Sequence, residues 1–209
     1  MLLISRITRK INHYLENRRF RNIASGCSVP PGITVSNRDN LVMMEGATLE
    51  PGTVILNVHA KFVMGRYSGA GPNLTVIAGN HLSVPGKFLL CVTDSDKKAL
   101  DPEGLQDRDV ILEEDVWIGA NVVLLNGVKI GRGAVIAAGT VCRGKIPPYA
   151  IVAGNPAKVV GFRFTPEQTM EHEAMLYPES ERLQAVTLDK NYKKYYLDRI
   201  KEINQYCRI

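Results

Sequence analysis

Four histidines are the side chains in this 209-residue sequence best suited to proton transfer near neutral pH. His81 is the most informative, because it closes the segment VIAGNH immediately before a long stretch without any repeat. It can act as a general base on a bound acceptor, or it can be a loop residue with a structural hydrogen bond, and its position alone leaves both open. His59 could line the same cleft, whereas His13 and His172 fall in segments expected to be helical and solvated.

The spacing of the histidines and cysteines does not favour metal chemistry. A zinc hydratase needs three imidazoles around the metal, two of them close in sequence, and no HxxxxH pattern occurs. The cysteines show no CxxC spacing either, so we expect no metal site and a reduced, cytoplasmic protein. The four cysteines are Cys27, Cys91, Cys142 and Cys207.

A six-residue repeat supplies the framework that must position these groups. From Val110 to Ile146 the sequence divides as VILEED, VWIGAN, VVLLNG, VKIGRG, AVIAAG and TVCRGK. Such a period predicts an all-β solenoid, a parallel β-helix in which each block is one side of a coil and stacking buries the apolar columns. The first positions are Val110, Val116, Val122, Val128, Ala134 and Thr140, and the third positions are Leu112, Ile118, Leu124, Ile130, Ile136 and Cys142.

The repeat also predicts the organisation of the chain. The same rhythm runs through 41–58, slips near 59–61 and resumes at Met64, Ala70 and Val76. Segment 82–109 has no repeat, and a long insertion in a solenoid is usually functional. We expect an amphipathic helix at 1–25, which caps the first coil or lies on a membrane surface, then a β-helix domain at 26–161 and a helical extension at 162–209.

Composition leaves several partners open. The net charge of +5 and pI near 9.0 suit a polyanionic partner such as a phosphorylated cofactor, nucleic acid or an anionic membrane. No segment is long enough to span a bilayer. Segment 190–196 interleaves lysines with tyrosines, which a single-strand nucleic-acid binder could use. We expect instead a helix whose tyrosines dock on the coil, and hence no nucleic-acid partner.

Two further positions have side chains that could contact small molecules. Trp117 stands among small aliphatic residues and is exposed if the first and third positions point inward, either lining a site or plugging a subunit interface. Asn57 could orient a hydroxyl of an acceptor, and a turn or stacked-asparagine role fits it equally well. Small residues surround the tryptophan block and would let a linear ligand lie close to backbone; these are Gly119, Ala120, Ala137, Ala138 and Gly139.

Residues 40–161 resemble the hexapeptide-repeat acyltransferases, and most closely the xenobiotic (streptogramin) and galactoside/maltose acetyltransferase branches. The resemblance rests on VMGRYSGAGPNLTVIAGNH, on DVWIG after the non-repeating segment, and on the closing IPPYAIVAGNPAK. It implies a left-handed parallel β-helix shaped as a triangular prism. It also implies a homotrimer that binds acetyl-CoA, as acyl donor, between neighbouring subunits, and no metal.

The same resemblance assigns roles to individual residues. His81 would be the general base, Trp117 would pack beside the pantetheine arm, and the Ala120 amide would face the thioester oxygen. Backbone at Ala138 and Gly139 would receive the pantetheine. Lys158 matches a basic position near the CoA phosphates, and this contact could shift to Arg143 or Lys145, since the family often has Thr-Lys where this chain has Arg143–Gly144.

These considerations favour an O-acetyltransferase acting on a hydroxyl of a small molecule or sugar. A base contributes about 10²–10⁴ in rate and a backbone oxyanion donor roughly 10²–10³ more. An N-acetyltransferase for an amino-sugar or nucleotide-sugar, and a non-catalytic β-helix binding or scaffold protein, are the alternatives.

Overall fold

The computed structural model describes residues 20–207. Within them, the strands form three five-stranded sheets, named here A, B and C. Sheet A contains β2 (Leu41–Met43), β4 (Phe62–Met64), β7 (Val110–Leu112), β10 (Lys129–Ile130) and β13 (Lys145–Ile146). Sheet B contains β5 (Gly69–Ala70), β8 (Trp117–Ile118), β11 (Val135–Ile136), β14 (Ala150–Ala153) and β15 (Lys158–Phe162). Sheet C contains β1 (Thr34–Val35), β3 (Val54–Leu56), β6 (Thr75–Ile77), β9 (Val123–Leu125) and β12 (Val141–Cys142).

The chain visits the three sheets in turn, so each strand pairs in parallel with the strand one circuit earlier. Trp117 pairs with Val135, and Val123 with Val141, a spacing of 18 residues or three six-residue blocks. The final pair, β14 with β15, is antiparallel and ends the coil. The backbone therefore winds as the three-sided parallel coil that the six-residue period predicts.

The core of the coil is the pair of columns predicted from the repeat. All six first positions and all six third positions between 110 and 142 are buried, each at most 1% exposed. The same holds for Met43, Leu49 and Ile55 in the earlier coils. Each fully buried Leu or Ile contributes about 1.5–3 kcal/mol, so the stacked columns stabilise the coil cooperatively.

The first coils are less regular than the later ones. Leu41 pairs with Phe62, 21 residues away, because extra residues enter at the corner between sheets C and A. At the N-terminal end, Phe20 is buried and Ile23 forms a parallel bridge with Met43, so these residues already belong to the coil. Residues 1–19 of the amphipathic helix predicted at 1–25 lie outside the described residues, and for residues 20–25 the prediction is wrong, because they form a bend, a bridge and a turn of the coil.

The non-repeating segment leaves the coil after β6 and returns before β7. An antiparallel bridge between Gly79 and Asp107 closes its neck, so the excursion proper is residues 80–106, slightly earlier than the predicted 82–109. It is not wholly irregular: a 3-10 turn (Leu89–Cys91) precedes helix α1 (Asp94–Leu100), which begins with a capping box between Thr93 and Asp96.

Three helices follow β15, in the region where the sequence predicted a helical extension. Helix α2 (Pro166–Leu176) begins with a Thr165–Gln168 capping box. Helices α3 (Ala185–Tyr195) and α4 (Ile200–Cys207) are separated from it and from each other by 3-10 turns at Glu179–Glu181 and Leu197–Arg199.

A buried carboxylate fixes α2 to the coil. Glu173 accepts hydrogen bonds from the Tyr149 hydroxyl (2.6 Å) and from Arg132 Nη1 (2.8 Å). Burial, reinforced by Glu173, raises the pKa of Tyr149, so the hydroxyl remains a donor. His172 is not solvated as expected: its ring lies 5.0 Å from Phe164 and 5.8 Å from Tyr149, because α2 turns this face toward the coil.

The basic and tyrosine-rich stretch adopts the predicted arrangement. Tyr192 packs 5.3 Å from Phe162 of β15, while Lys190, Lys193 and Lys194 are exposed. Among residues 20–207, none of the helices has the length and apolar character needed to cross a bilayer.

Candidate active site

A cleft of about 580 Å³, here called the His81 cleft, lies between the end of sheet C and the excursion. Its coil side carries Leu56 and Ile77, which pair with each other on β3 and β6. Its excursion side is formed by the residues around the start of α1. The lining residues are Ser36, Leu56, Val58, His59, Ile77, Gly79, Asn80, His81, Leu82, Val92, Thr93, Asp94, Lys97 and Asp107.

His81 lies where the sequence predicted, at the corner that follows β6 and at the mouth of the excursion. Its side chain is exposed and takes part in no hydrogen bond or ion pair among the described residues. A structural hydrogen bond, the alternative left open by the sequence, is therefore not found there. The imidazole is free to accept a proton from a molecule bound in the cleft.

His59 lines the same cleft from the preceding coil, which the sequence suggested without singling it out. Its Nε2 lies 3.7 Å from Asp94 Oδ1 at the start of α1. A second pair closes the base of the excursion, where Lys97 Nζ lies 2.6 Å from Asp107 Oδ2. Because Asp107 is also at the neck, this pair ties α1 to the coil and holds the excursion side of the cleft in place.

Asn57 does not line the cleft. It is fully buried, its Oδ1 accepts the Asn37 N–H at 3.0 Å, and its Nδ2 donates to the Asn37 carbonyl at 2.9 Å. Both ends of the amide thus link two successive coils. Asn57 thus has a structural role, and both ends of its amide are hydrogen-bonded to the backbone of the protein.

Trp117 projects from sheet B, and 55% of its surface is exposed, as its outward position in the repeat predicts. Its indole covers Gly69 of the preceding coil, since a Cβ at that glycine would lie 3.0 Å from the indole carbon Cζ3. Val135 is the partner on the other side. The tryptophan therefore lies along an open face of the coil and is not part of the His81 cleft.

The corner between sheets B and C brings backbone close to backbone. A Cβ on Gly119 would lie 2.6 Å from Ala138 N, and a Cβ on Gly71 would lie 3.0 Å from Ala120 N. The Ala120 carbonyl accepts from the Gly139 N–H at 2.9 Å. Its own N–H has no acceptor among the described residues, which leaves a backbone donor available at this corner.

The basic residues near this end of the coil differ in availability. Lys158 is engaged, with its ammonium 3.3 Å from Glu202 Oε1 and 5.7 Å from the centre of the Tyr206 ring on α4. Arg143 and Lys145 are exposed and form no ion pair among residues 20–207. They are therefore the freer cations for an anionic ligand.

The structure thus brings some of the predicted residues together and leaves others apart. Ala120, Ala138 and Gly139 share the B–C corner; Ala120 lies three residues after Trp117, and Ala138 and Gly139 lie on the next coil. His81 lies at the other end of sheet C, in a separate cleft. Within the described residues, no group of three His, Cys, Asp or Glu side chains could hold a metal ion.

The sequence reasoning missed the contribution of α1 to the cleft. Asp94 and Lys97 fall in the segment 82–109, which was predicted only to be a functional insertion without a repeat, although Thr93 and Asp96 have the spacing of a helix start. That signal predicts the helix. It does not predict which face meets His59, because the return path of the excursion decides that contact.

Comparison with known proteins shows which family the repeat matches and which proteins share the fold. Residues 109–144 match the family described as bacterial transferase hexapeptide (six repeats). A stretch of 51 residues is 55% identical to the 2,3,4,5-tetrahydropyridine-2,6-dicarboxylate N-acetyltransferase of Staphylococcus aureus strain JH9, covering 24% of this chain. The chain matches only 21% of the length of that relative.

Solved structures share the architecture. A hexapeptide-repeat acetyltransferase of Vibrio cholerae O1 biovar eltor, complexed with acetyl coenzyme A, aligns with a TM-score of 0.60 and 23% identity over 73% of this chain and 77% of that one. A maltose O-acetyltransferase of Clostridium difficile 630 aligns with a TM-score of 0.50 and 25% identity, covering 62% of each chain. Residues 109–144 thus match a hexapeptide-repeat family, and the chain has the fold of the hexapeptide-repeat acetyltransferases.

Proposed function

We propose that this protein is an acetyl-CoA-dependent acetyltransferase that transfers the acetyl group to a hydroxyl of a small molecule or sugar, with His81 as general base. The observation that carries the proposal is the unbonded imidazole of His81 at the edge of a 580 Å³ cleft. Its fold, similar to that of an acetyltransferase complexed with acetyl coenzyme A, supports the choice of donor. Such a donor implies a cytoplasmic site of action.

The proposed reaction needs a general base for the acceptor hydroxyl and a hydrogen-bond donor for the thioester oxygen. His81 takes the proton of the acceptor hydroxyl as its oxygen bonds to the thioester carbonyl carbon. The carbon–sulfur bond then breaks, and the thiol leaves with the proton held by the imidazole. The free N–H of Ala120 is a suitable donor for the negative charge that develops on the carbonyl oxygen. No metal is required.

The outer surface of the coil suits an extended, phosphorylated donor. The exposed indole of Trp117 offers an apolar wall for the pantetheine arm, and backbone at Ala138 and Gly139 can approach it without intervening side chains. We assign the phosphate contacts to Arg143, with Lys145, because Lys158 is already paired with Glu202. Asn57 is not assigned to the acceptor, since its amide bonds Asn37.

Trp117 does not line the His81 cleft of its own chain, so a site that uses both residues would form between two subunits. We propose that the three-sided coil is a left-handed β-helix and that three copies associate, so that the cleft of one faces the Trp117 surface of the next. In this arrangement the coil, from Ile23 to residue 161, is the transferase domain, and the helices that follow β15 are an extension docked on it.

The decisive test is the His81→Ala variant. We expect thiol release from acetyl-CoA with a hydroxyl acceptor to fall at least about 100-fold, with added imidazole restoring part of it. Lys190→Ala, on the exposed face of α3, is the matched control and should retain full activity and the same gel-filtration mass. Undiminished turnover by His81→Ala would reject the assigned base, and the absence of any coenzyme binding would favour a non-catalytic protein.

Transfer to an amine is the second candidate. The 51-residue match to an N-acetyltransferase favours it, but that match covers about a quarter of this chain. Paired acceptors that differ only in hydroxyl or amine at one carbon, such as glucose and glucosamine, distinguish the two. Acetate recovered as an alkali-labile ester indicates O-transfer, and an alkali-stable amide indicates N-transfer.

A further inference from the structure

We propose that His59 and Asp94 form a second hydroxyl-binding pair in the His81 cleft, so that the acceptor is an uncharged polyol with a second hydroxyl near the one that is acetylated. The inference rests on the proposed function, because it concerns the acceptor of the same reaction. It adds two binding residues and a chemical class of acceptor.

His59 and Asp94 lie close together but do not form a direct hydrogen bond. His59 Nε2 and Asp94 Oδ1 are 3.7 Å apart, longer than the roughly 2.7–3.2 Å of an N–H···O hydrogen bond. Their side chains are 48% and 88% exposed. The neighbouring Lys97–Asp107 pair is closed at 2.6 Å, with side chains only 21% and 15% exposed. The Lys97–Asp107 pair therefore holds the excursion, whereas the His59–Asp94 pair can bind a ligand.

A hydroxyl is the group that matches the open pair. It can accept a hydrogen bond from an imidazole N–H and donate one to a carboxylate, so a single hydroxyl can bridge His59 and Asp94. His81 and His59 follow successive strands of sheet C and line one cleft. Two hydroxyls of one small molecule could thus meet the two imidazoles at once.

The charges in the cleft select against anionic acceptors. Lys97 and Asp107 neutralise each other, and Asp94 is the formal charge left among the described lining residues when both histidines are neutral. A carboxylate would be repelled there. Apolar side chains such as Leu56 and Ile77 offer a surface for the carbon face of a sugar or cyclic polyol. The cleft thus differs in charge from one suited to a dicarboxylate.

The test compares acceptors that differ by one hydroxyl. Initial rates of thiol release from acetyl-CoA are measured with trans-cyclohexane-1,2-diol, cyclohexanol, methyl glucoside and methyl glucuronide. The variants are Asp94→Ala and His59→Ala, with Asp189→Ala on α3 as matched control. Asp94 is 88% exposed, so its replacement leaves the fold intact.

We expect the wild-type protein to prefer the diol over cyclohexanol, and the glucoside over the glucuronide, by about tenfold or more in kcat/KM. Asp94→Ala and His59→Ala should each raise the KM of the diol about tenfold. The kcat/KM for cyclohexanol, which lacks the second hydroxyl, and the KM of acetyl-CoA should stay unchanged. A diol preference that survives both variants, while His81→Ala abolishes turnover, overturns this inference alone. Lack of thiol release by the wild type with every acceptor overturns the proposed function and this inference together.

Discussion

The coil between Val110 and Ile146 and the excursion at 80–106 are held together in opposite ways. The coil buries two apolar columns, and from β7 to β12 its strands pair at a spacing of 18 residues. The excursion buries no residue of α1 or of its 3-10 turn, and it exposes Phe88 and Leu90 by 85% and 94%. Its order comes from polar contacts such as Lys97–Asp107 and the capping box of Thr93 with Asp96.

This difference explains where the cleft forms. A periodic coil can hold a residue rigidly, but its sides are flat and each residue type recurs on the same face. The excursion breaks the period and faces His81 and His59 with side chains that the coil alone could not place there. The coil forms one rigid side of the cleft, and the excursion, which is held by polar contacts, forms the other. Residues of the excursion can therefore be substituted without unfolding the coil.

The same substitution made in both regions gives the largest expected contrast. Leu124→Ala removes a fully buried side chain from the stacked column and should lower the free energy of unfolding by about 2–5 kcal/mol. Leu90→Ala removes an exposed side chain and should change it by less than about 0.5 kcal/mol. Chemical denaturation of both variants provides the measurement. Equal losses would mean that the excursion is packed as tightly as the coil.

A smaller effect is expected from releasing the excursion. Lys97→Met keeps the aliphatic stem but removes the charge that holds Asp107. The free energy of unfolding should change by no more than about 1 kcal/mol, because the pair holds the excursion and contributes nothing to the buried columns of the coil. The KM of the acceptor should rise several-fold, since α1 carries Asp94 into the cleft, while the KM of acetyl-CoA stays the same.

Thermal unfolding and acceptor kinetics separate these two effects. Lys98→Met, one position along α1 and without an ion pair among the described residues, is the control. If Lys97→Met unfolds at a much lower temperature than this control, the pair stabilises the whole protein and the division into two regions is wrong.

The sequence predicts the periodic coil better than it predicts the excursion and the contacts between distant residues. Where the six-residue phase holds, each inward residue from Val110 to Cys142 is buried as predicted, because the period itself specifies the side that a residue faces. The outward position of Trp117 follows from the same rule. His81 was located by its place at the end of that pattern.

The remaining features depend on contacts between distant residues. The His59–Asp94 approach joins residues 35 positions apart through a segment with no period, so no local pattern encodes it. Lys158 forms its ion pair with Glu202 of α4, which is distant in sequence. The ring contact of His172 with Phe164 depends on how α2 docks on the coil. The role of Asn57 was left undecided because a buried amide and a ligand-binding amide have the same sequence signature.

Acid should loosen the excursion before it affects the coil. The Lys87 ammonium, 2.5 Å from Asp96, and the Thr93 backbone and hydroxyl lower the pKa of Asp96 to about 2 from its usual value near 3.8. A carboxyl with a lowered folded pKa stabilises the folded form fully above its ordinary pKa and loses this effect as pH falls toward 2.

We therefore expect amide protection in residues 93–100 to decrease between pH 4 and pH 2, while β9 and β11 remain protected. Hydrogen exchange, normalised at each pH to the rate of an unstructured chain, measures both segments in one experiment. Asp96→Asn is the sharpest control, since an uncharged side chain cannot titrate and the local protection should depend less on pH over this range than in the wild type. Simultaneous loss of protection in both segments would show that the excursion and the coil open as one unit, and the polar contacts of α1 would then have no separate stability to lose.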